Sequence, residues 1–168
     1  MRVFRALPEG ARQRAVRTVA PSYTLGAQAR VVREDGRVLL VKAAYRWSWG
    51  MPGGLMDAGE SPAEAAIRET KEETGLDIEL IDDPVIVLET EMQRVNFIYQ
   101  AVPAAGADPD AIEAQASEIL ELGWFAPENF PNTIPDESGM VMLELADPNV
   151  APRLVVTNSI ESAPDERS

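Results

Sequence analysis

The sequence of 168 residues contains neither cysteine nor histidine. Without cysteine, the chain has no disulfide framework and no thiolate metal site. Without histidine, it lacks the side chain that most often serves as a general base or a metal ligand. Any acid–base chemistry therefore falls to carboxylates, lysine and tyrosine.

Excess positive charge and long apolar runs are also missing. The formal net charge of -13 argues against binding a nucleic-acid duplex over the general surface, which requires clustered lysine and arginine. No apolar run approaches the roughly 18 residues of a membrane span. The first 20 residues lack the apolar segment and cleavage site of a secretory signal. We therefore expect a cytoplasmic protein that binds neither duplex nucleic acid nor a membrane.

The charge is unevenly distributed along the chain. Residues 1–33 hold seven arginines against a single acid, Glu9. Apolar residues recur there at intervals of four, which predicts a basic, amphipathic helical arm over residues 1–22. This arm is either solvated or docked on a partner, or else it contacts phosphates or a membrane. We expect a compact domain over residues 23–147 and an irregular tail over residues 148–168.

The middle of the chain reads as several strands around one long helix. Residues 27–32 and 38–41 flank a turn, which predicts a hairpin. Further strands are predicted at 77–80, 85–90, 93–101 and 119–125, with a loop at 103–117 and a short second helix at 138–145. Helices covering a mixed sheet give an α/β (α+β) class, which by itself says nothing about function.

The long helix has unusually complete end signals. Ser61 is a favoured N-cap, Pro62 suits the first helical position, and Glu64 can complete a capping box. Gly75 supplies the C-terminal stop. These signals predict a helix over residues 62–74.

Three acidic residues lie on one face of that helix. Glu69, Glu72 and Glu73 stand at i, i+3 and i+4, which places their carboxylates within about 6 Å of one another. Like charges this close are either fully solvated or compensated by a bound cation, and Mg²⁺ prefers oxygen ligands. In a chain with 28 acidic residues, the solvated acidic face is the alternative interpretation.

The residues around the three glutamates favour a metal site over a solvated acidic face. Gly54, Glu60 and Arg68 precede them at spacings of six and eight residues, and the segment 54–76 reads GLMDAGESPAEAAIRETKEETGL. This segment resembles the 23-residue box of the Nudix hydrolases, and the preceding WSWGMPGG resembles the approach to that box. The resemblance implies an α/β/α sandwich with a mixed central sheet and the box helix packed on it. Thr70 departs from the bulky aliphatic residue usual in the family, at a position that we expect beside Ile67 on the inner face.

The same resemblance implies a role for each box residue. Glu69, Glu72 and Glu73 would bind Mg²⁺, with Mn²⁺ as an alternative, and the Gly53 carbonyl would be an extra ligand. Glu69 is our preference for orienting or deprotonating the attacking water. Arg68 and Glu60 would form a salt bridge that braces the site together with Gly54 and Gly75. A simple i, i+4 pair between Glu64 and Arg68 is the alternative.

Further candidates lie outside the box. Glu118, just before the predicted strand ILELGWF, resembles an additional metal-binding or catalytic glutamate of the family, with Glu121 or an ordinary loop acid as the alternatives. Candidates for substrate binding could stack on a base or contact a phosphate, and could equally be packing residues: Arg46, Trp47, Trp49 and Tyr99.

The resemblance therefore predicts a hydrolase that uses Mg²⁺ and a metal-activated water to cleave a phosphoanhydride (pyrophosphate) bond. The substrate would be small and nucleotide-like: a nucleoside diphosphate linked to another moiety, or a nucleoside triphosphate. A Nudix-like nucleotide sensor without strong catalysis is the second hypothesis, and an acidic scaffold protein is the third. Whether the protein forms a homodimer is left open by the sequence.

Overall fold

The computed structural model describes residues 22–45, 48–131 and 154–157. Within these ranges the strands are β1 (Thr24–Val31), β2 (Val38–Ala43), β3 (Gly53–Leu55), β4 (Ile78–Leu80), β5 (Val85–Glu89), β6 (Arg94–Pro103), β7 (Ile119–Phe125) and β8 (Leu154–Thr157), and the helix is α1 (Pro62–Thr74). The predicted second helix at 138–145 and nearly all of the arm lie outside the described residues. The three domain boundaries therefore stay predictions.

The described strands form two sheets. The larger has the order β3-β1-β6-β5-β8, and β4 pairs with β6 beside β5. It is mixed, because β1 is parallel to β6 and β5 is parallel to β8, whereas β3, β4 and β5 run antiparallel to their partners β1 and β6. The smaller sheet pairs β2 with β7 in antiparallel fashion. A mixed sheet carrying one helix confirms the predicted α+β class.

The hairpin prediction for β1 and β2 is only half correct. The turn exists, with Gly36 at φ 82° and the Arg33 amide donating to the Arg37 carbonyl at 2.8 Å. One bridge joins Val32 to Val38, but from there β1 pairs with β3 and β6 while β2 pairs with β7. The chain alone could not show this separation, because each strand finds its partner far away in sequence.

Two strands were missed from the sequence. β3 contains Gly53 and Gly54, which carry no side-chain pattern, and pairs with β1. β8 lies inside the tail that we predicted to be irregular, so that prediction is wrong at Leu154–Thr157, where Ile86 of β5 pairs with Leu154. Both strands form because the larger sheet offers them unpaired backbone at its edges.

Helix α1 confirms the predicted bounds. The Glu64 amide donates to the Ser61 hydroxyl at 3.3 Å, and the Ser61 amide donates to the Glu64 carboxylate at 2.9 Å, which completes the capping box. Gly75 ends the helix in the left-handed conformation, at φ 75°, with its amide bonded to the Lys71 carbonyl. These contacts are all local, so they could be predicted from the sequence.

Helix α1 packs on the larger sheet through small side chains. Ala65 and Ala66 contact Ala27 of β1 and Tyr99 of β6, and all four are buried. Thr70 is fully buried, and its hydroxyl donates to the Ala66 carbonyl at 2.7 Å, so a polar group is accommodated there without a packing defect. Ile67, expected beside it on the inner face, is 40% exposed, so that expectation is wrong.

The remaining core lies on both faces of the larger sheet. On the face away from Tyr99, β2 and β6 contribute Val38, Leu40 and Ile98 to a cluster that also contains Met51. On the other face, Leu39 joins a cluster with residues of β1, β4 and β6. Strand β2 therefore ties the smaller sheet to the larger one from both sides. Among the described residues, no helix is both long and apolar enough to cross a membrane.

Candidate active site

The glycine pair of β3 receives two carboxylates from α1. The Gly53 amide donates to Glu73 Oε2 at 2.9 Å, and Glu73 is 5% exposed. Gly53 has φ 147° and passes so close to β1 that a methyl group there would lie 2.7 Å from the Gln28 Cα. Only glycine fits this approach, and the approach is what brings the amide to Glu73.

Gly54 makes room for the second carboxylate. A methyl group on Gly54 would lie 2.5 Å from Glu69 Cδ and 2.6 Å from each of its oxygens. The Glu69 carboxylate therefore rests directly on the β3 backbone, in space that any other residue would fill. The two neighbouring glycines hold two of the three predicted site carboxylates in fixed positions.

Arg68 connects the loop before α1 to these carboxylates. Its Nε and Nη2 donate to the two oxygens of Glu60 at 2.8 and 2.9 Å, and Nη2 also donates to the Leu55 carbonyl at 3.1 Å. Its Nη1 donates to Glu69 at 2.8 Å and to Glu72 at 3.1 Å. The expected Arg68–Glu60 pair is thus present as a fork-to-fork contact. The Glu64 carboxylate instead accepts from Ser61.

The Arg68–Glu60 pair has fixed charges. Hydrogen bonds from the Arg68 side chain, and then from the Asp57 amide, lower the pKa of Glu60 to about 2. The same carboxylate and that of Glu69 raise the pKa of Arg68 above its usual value. Glu60 therefore stays ionised at neutral pH and cannot act as a proton donor, which leaves it a bracing role.

The chemistry of the three glutamates fits a hard divalent cation. All offer carboxylate oxygens, and the space over Gly54 keeps one of them against the backbone. The Arg68 guanidinium already places positive charge between Glu69 and Glu72. Among the described residues, no group of three or more acidic side chains surrounds a single point in this arrangement. The Glu72 side chain is 59% exposed and makes the longer contact, so it is the one best able to turn towards a cation.

Glu118, the candidate outside the box, lies away from helix α1 in sequence. It is exposed on the turn before β7, and its carbonyl accepts from the Ala44 amide at 2.7 Å. The preceding loop crosses the end of α1, where the Gln115 amide donates to the Glu73 carbonyl at 3.2 Å. Glu121 instead forms a cross-strand ion pair with Lys42 at 2.7 Å. Within the described residues Glu118 forms no ion pair, unlike Glu121, and its functional role stays a prediction.

The four residues expected to contact substrate divide into two groups. Arg46 and Trp47 lie outside the described residues. Trp49 is half-buried and packs edge-on against Phe125, with ring centroids 4.9 Å apart. Tyr99 is 8% exposed beneath α1, and burial raises its pKa. Both described side chains have packing roles, and substrate contact stays a prediction for all four.

Strand β1 has a buried polar face that was not predicted from the sequence. Gln28 and Arg30 are 6% and 5% exposed, and neither the buried Gln28 Oε1 nor the buried Arg30 Nε has a hydrogen-bond partner among the described residues. On the adjacent strand β6, Asn96 Nδ2 donates to the buried Glu89 of β5 at 3.1 Å. The only signal for this face was the alternation of Ala27, Gln28, Ala29 and Arg30, which ordinarily indicates that the polar side is solvated.

Comparison with known proteins adds independent information. The family model of the NUDIX domain matches residues 23–143. The chain is 27% identical over 130 residues to a MutT-like protein of Streptomyces ambofaciens, covering 77% of this chain and 81% of the relative. It is 33% identical over 109 residues to a putative 8-oxo-dGTP diphosphatase of Bacillus subtilis, covering 65% and 70%. The crystal structure of a NUDIX hydrolase from Nitrosomonas europaea aligns with a TM-score of 0.70 and 24% identity, covering 82% and 80%.

Proposed function

Since the chain belongs to the NUDIX family and is a hydrolase that acts on phosphoanhydrides, we propose that it cleaves a small nucleotide with the help of Mg²⁺. The substrate is a nucleoside triphosphate, or a nucleoside diphosphate linked to another moiety. The observation that carries this proposal is the placement of the Glu69 and Glu73 carboxylates against the Gly53–Gly54 backbone. Such fixed carboxylates are suited to chemistry in which charge must be met at a defined position.

The similarity to a putative 8-oxo-dGTP diphosphatase supports a nucleoside triphosphate within this substrate class. The net charge of -13 supports a small substrate rather than duplex nucleic acid, because only a local cation can offset the repulsion of phosphates. Cytoplasmic location and assembly into a homodimer remain predictions, and the second can be checked by measuring the mass of the protein in solution.

The residues that would hold Mg²⁺ are Glu69, Glu72, Glu73 and the Gly53 carbonyl, with Glu118 as an additional ligand. Mn²⁺ suits the same oxygen donors. When bound, the cation would neutralise charge on the phosphoryl oxygens and lower the pKa of a water molecule. The two carboxylates differ in burial, because Glu73 is buried and the Glu72 side chain is exposed, so binding the cation would require Glu72 to turn towards Glu73.

Glu73, Glu69 and Arg68 have separate roles in the site. Glu73 accepts a hydrogen bond from the Gly53 amide, which holds its carboxylate beside β3. Glu69 accepts one hydrogen bond from Arg68 and retains oxygen lone pairs with which to orient, or accept a proton from, the attacking water. Arg68 acts as a positioning residue, because its guanidinium is itself anchored on Glu60 and the Leu55 carbonyl.

The test measures product release from nucleoside triphosphates, dinucleoside polyphosphates and nucleotide sugars, with Mg²⁺ or with EDTA. We expect cleavage in the presence of Mg²⁺ and none in EDTA. Turnover should fall by about 10² or more in Glu72→Gln, because this change removes a charge at constant volume. Glu121→Gln is the matched control, since that glutamate lies in the Lys42 ion pair. Full activity in Glu72→Gln would contradict the assignment of this residue to the metal.

Two further outcomes of the same experiment are informative. Glu118→Gln should reduce turnover less than Glu72→Gln, and an equal loss would show that the two glutamates are ranked wrongly. No product release from any compound of the panel, together with tight binding of one nucleotide, would favour the nucleotide sensor. The intact set of Glu60, Arg68, Glu69, Glu72 and Glu73 favours the hydrolase instead.

A further inference from the structure

A cavity lies away from the glutamates of α1. It has a volume of about 1020 Å³ and is bounded by the turn after β1 and the loop after β6. Arg30 and Gln100 line it from paired positions on β1 and β6, on the face opposite Ala29 and Ala101. Strands rise about 3.3 Å per residue, so Arg30 lies about 10 Å along β1 from Ala27, the partner of Gly54. The cavity is therefore separate from the proposed catalytic site.

Arg30 is the unusual residue in this cavity. It is 5% exposed, its Nη1 donates to Gln100 Oε1 at 3.3 Å, and its buried Nε has no hydrogen-bond partner in residues 22–45, 48–131 and 154–157. No ion pair is found between Arg30 and an acid in the described part of the chain. Burial lowers the pKa of Arg30, but a guanidinium still stays protonated at neutral pH. A buried charge whose only described partner is a neutral amide costs stability.

Its neighbour Arg33 shows what a compensated arginine looks like here. Arg33 lines the same cavity and forms ion pairs with Asp35 at 2.6 Å and with Asp110 at 2.7 Å. Asp35 and Asp110 are therefore both paired with Arg33. Glu34 and Asp82 also line the cavity, and in the described part of the chain neither forms an ion pair with Arg30, so its positive charge is left for an anionic ligand.

We propose that this cavity binds a small monocarboxylate with an apolar body, whose carboxylate docks on the Nε–Nη2 edge of Arg30. That edge offers two parallel donors, which match the two oxygens of a carboxylate, while Nη1 is already occupied by Gln100. Because Nε is closed off from water, docking includes a small rotation of the guanidinium towards the cavity. Val32, Ile81 and Val102 supply an apolar wall for the rest of the ligand.

The charge around the cavity selects the number of negative charges on the ligand. The lining contains two arginines, Arg30 and Arg33, against four acids, Glu34, Asp35, Asp82 and Asp110, which leaves a net charge of -2. This balance repels a polyanion such as a nucleotide more strongly than a single carboxylate, whose one charge is offset by its contact with Arg30. The cavity therefore fits a ligand of a different class from the proposed substrate.

The experiment follows the Nε–Hε signal of Arg30 by ¹H–¹⁵N NMR while valerate is added to the full chain without Mg²⁺ or nucleotide. Disappearance of this signal in Arg30→Met assigns it. We expect a saturable shift with valerate, and binding at least ten-fold weaker for uncharged valeramide and for inorganic phosphate. Arg33→Met is the matched control and should retain valerate binding, because its guanidinium is already paired.

Ala105→Phe provides a second variant that leaves Arg30 untouched. Ala105 is exposed on the loop that lines the cavity, so a larger side chain there fills space without disturbing the core. We expect valerate affinity to fall at least ten-fold in this variant, also in the event that Arg30→Met fails to fold. No saturable shift in the wild type, tighter binding of phosphate, or unchanged affinity in Ala105→Phe would each overturn the proposal. None of these outcomes depends on hydrolysis, so the proposed carboxylate site can be overturned without affecting the proposed hydrolase function.

Discussion

Replacing Gly54 by alanine should damage catalysis while leaving the fold nearly intact. Gly54 has an ordinary, non-positive φ, so the backbone accepts an alanine. The new methyl group would lie 2.5 Å from Glu69 Cδ and 2.6 Å from both carboxylate oxygens. Since ordinary contacts begin near 3.4 Å, the Glu69 carboxylate must retreat by about 1 Å.

The structure sets the size of each effect. A displacement of about 1 Å at a catalytic group can cost about 10² in rate, which corresponds to about 2.7 kcal/mol of transition-state stabilisation. The obstacle is the far end of a flexible side chain, so the loss of folding stability should stay below about 1 kcal/mol. Removing a glycine also lowers the entropy of the unfolded chain, which offsets about 0.4–1 kcal/mol of that loss.

The assay compares kcat/KM in Mg²⁺, on the nucleotide found by the substrate panel, with the melting temperature of the same preparation. Gly123→Ala is the control, because Gly123 also lacks a positive φ and its new methyl meets only the Phe125 ring edge at 3.3 Å. A folded Gly54→Ala protein with activity within three-fold of wild type would refute the argument. That result would mean that the position of Glu69 over Gly54 is irrelevant to turnover.

Two other predictions concern stability. Gly53→Ala should lower the free energy of unfolding by more than about 2 kcal/mol relative to Gly54→Ala. The reason is that Gly53 has φ 147° and its methyl group would lie 2.7 Å from the Gln28 backbone. Denaturant unfolding of both variants checks this, and equal stabilities would contradict it. The folded-state pKa of Glu60, about 2, is depressed below the ordinary 4.5. Its contribution to stability is therefore present above about pH 4.5 and is lost as pH falls towards 2. Glu60→Gln should flatten the decline in stability across that range, and an unchanged acid profile would show that the Arg68 contact does not stabilise the fold.

The local features of the chain could be read without the structure. Helix α1 runs over Pro62–Thr74 as predicted, because its cap at Ser61 and its stop at Gly75 depend on residues within one turn of each end. Strand β7 was predicted with its bounds, Ile119–Phe125, because an extended apolar segment is also a local signal. The i, i+3, i+4 spacing of the three glutamates follows from helix geometry alone.

Pairing between distant segments could not be read in this way. The separation of β1 from β2, the strand at Gly53–Leu55 and the strand at Leu154–Thr157 all depend on which edge of a sheet is available. Backbone hydrogen bonds across a sheet carry almost no side-chain signal, especially where the strand contains two glycines. Ile67 was misplaced for a related reason, because the inner face of α1 is chosen by the sheet beneath it.

The sequence by itself therefore determined the helix, its caps and the three glutamates on one of its faces, since these rest on contacts between residues a few positions apart. The tertiary structure alone decided that Glu69 rests on Gly54, that Arg68 ties Glu60 to Glu69 and Glu72, and that Arg30 is buried beside a cavity. The physical reason is that burial and hydrogen-bond partners are properties of the packed chain, and long-range packing places side chains that local spacing leaves free.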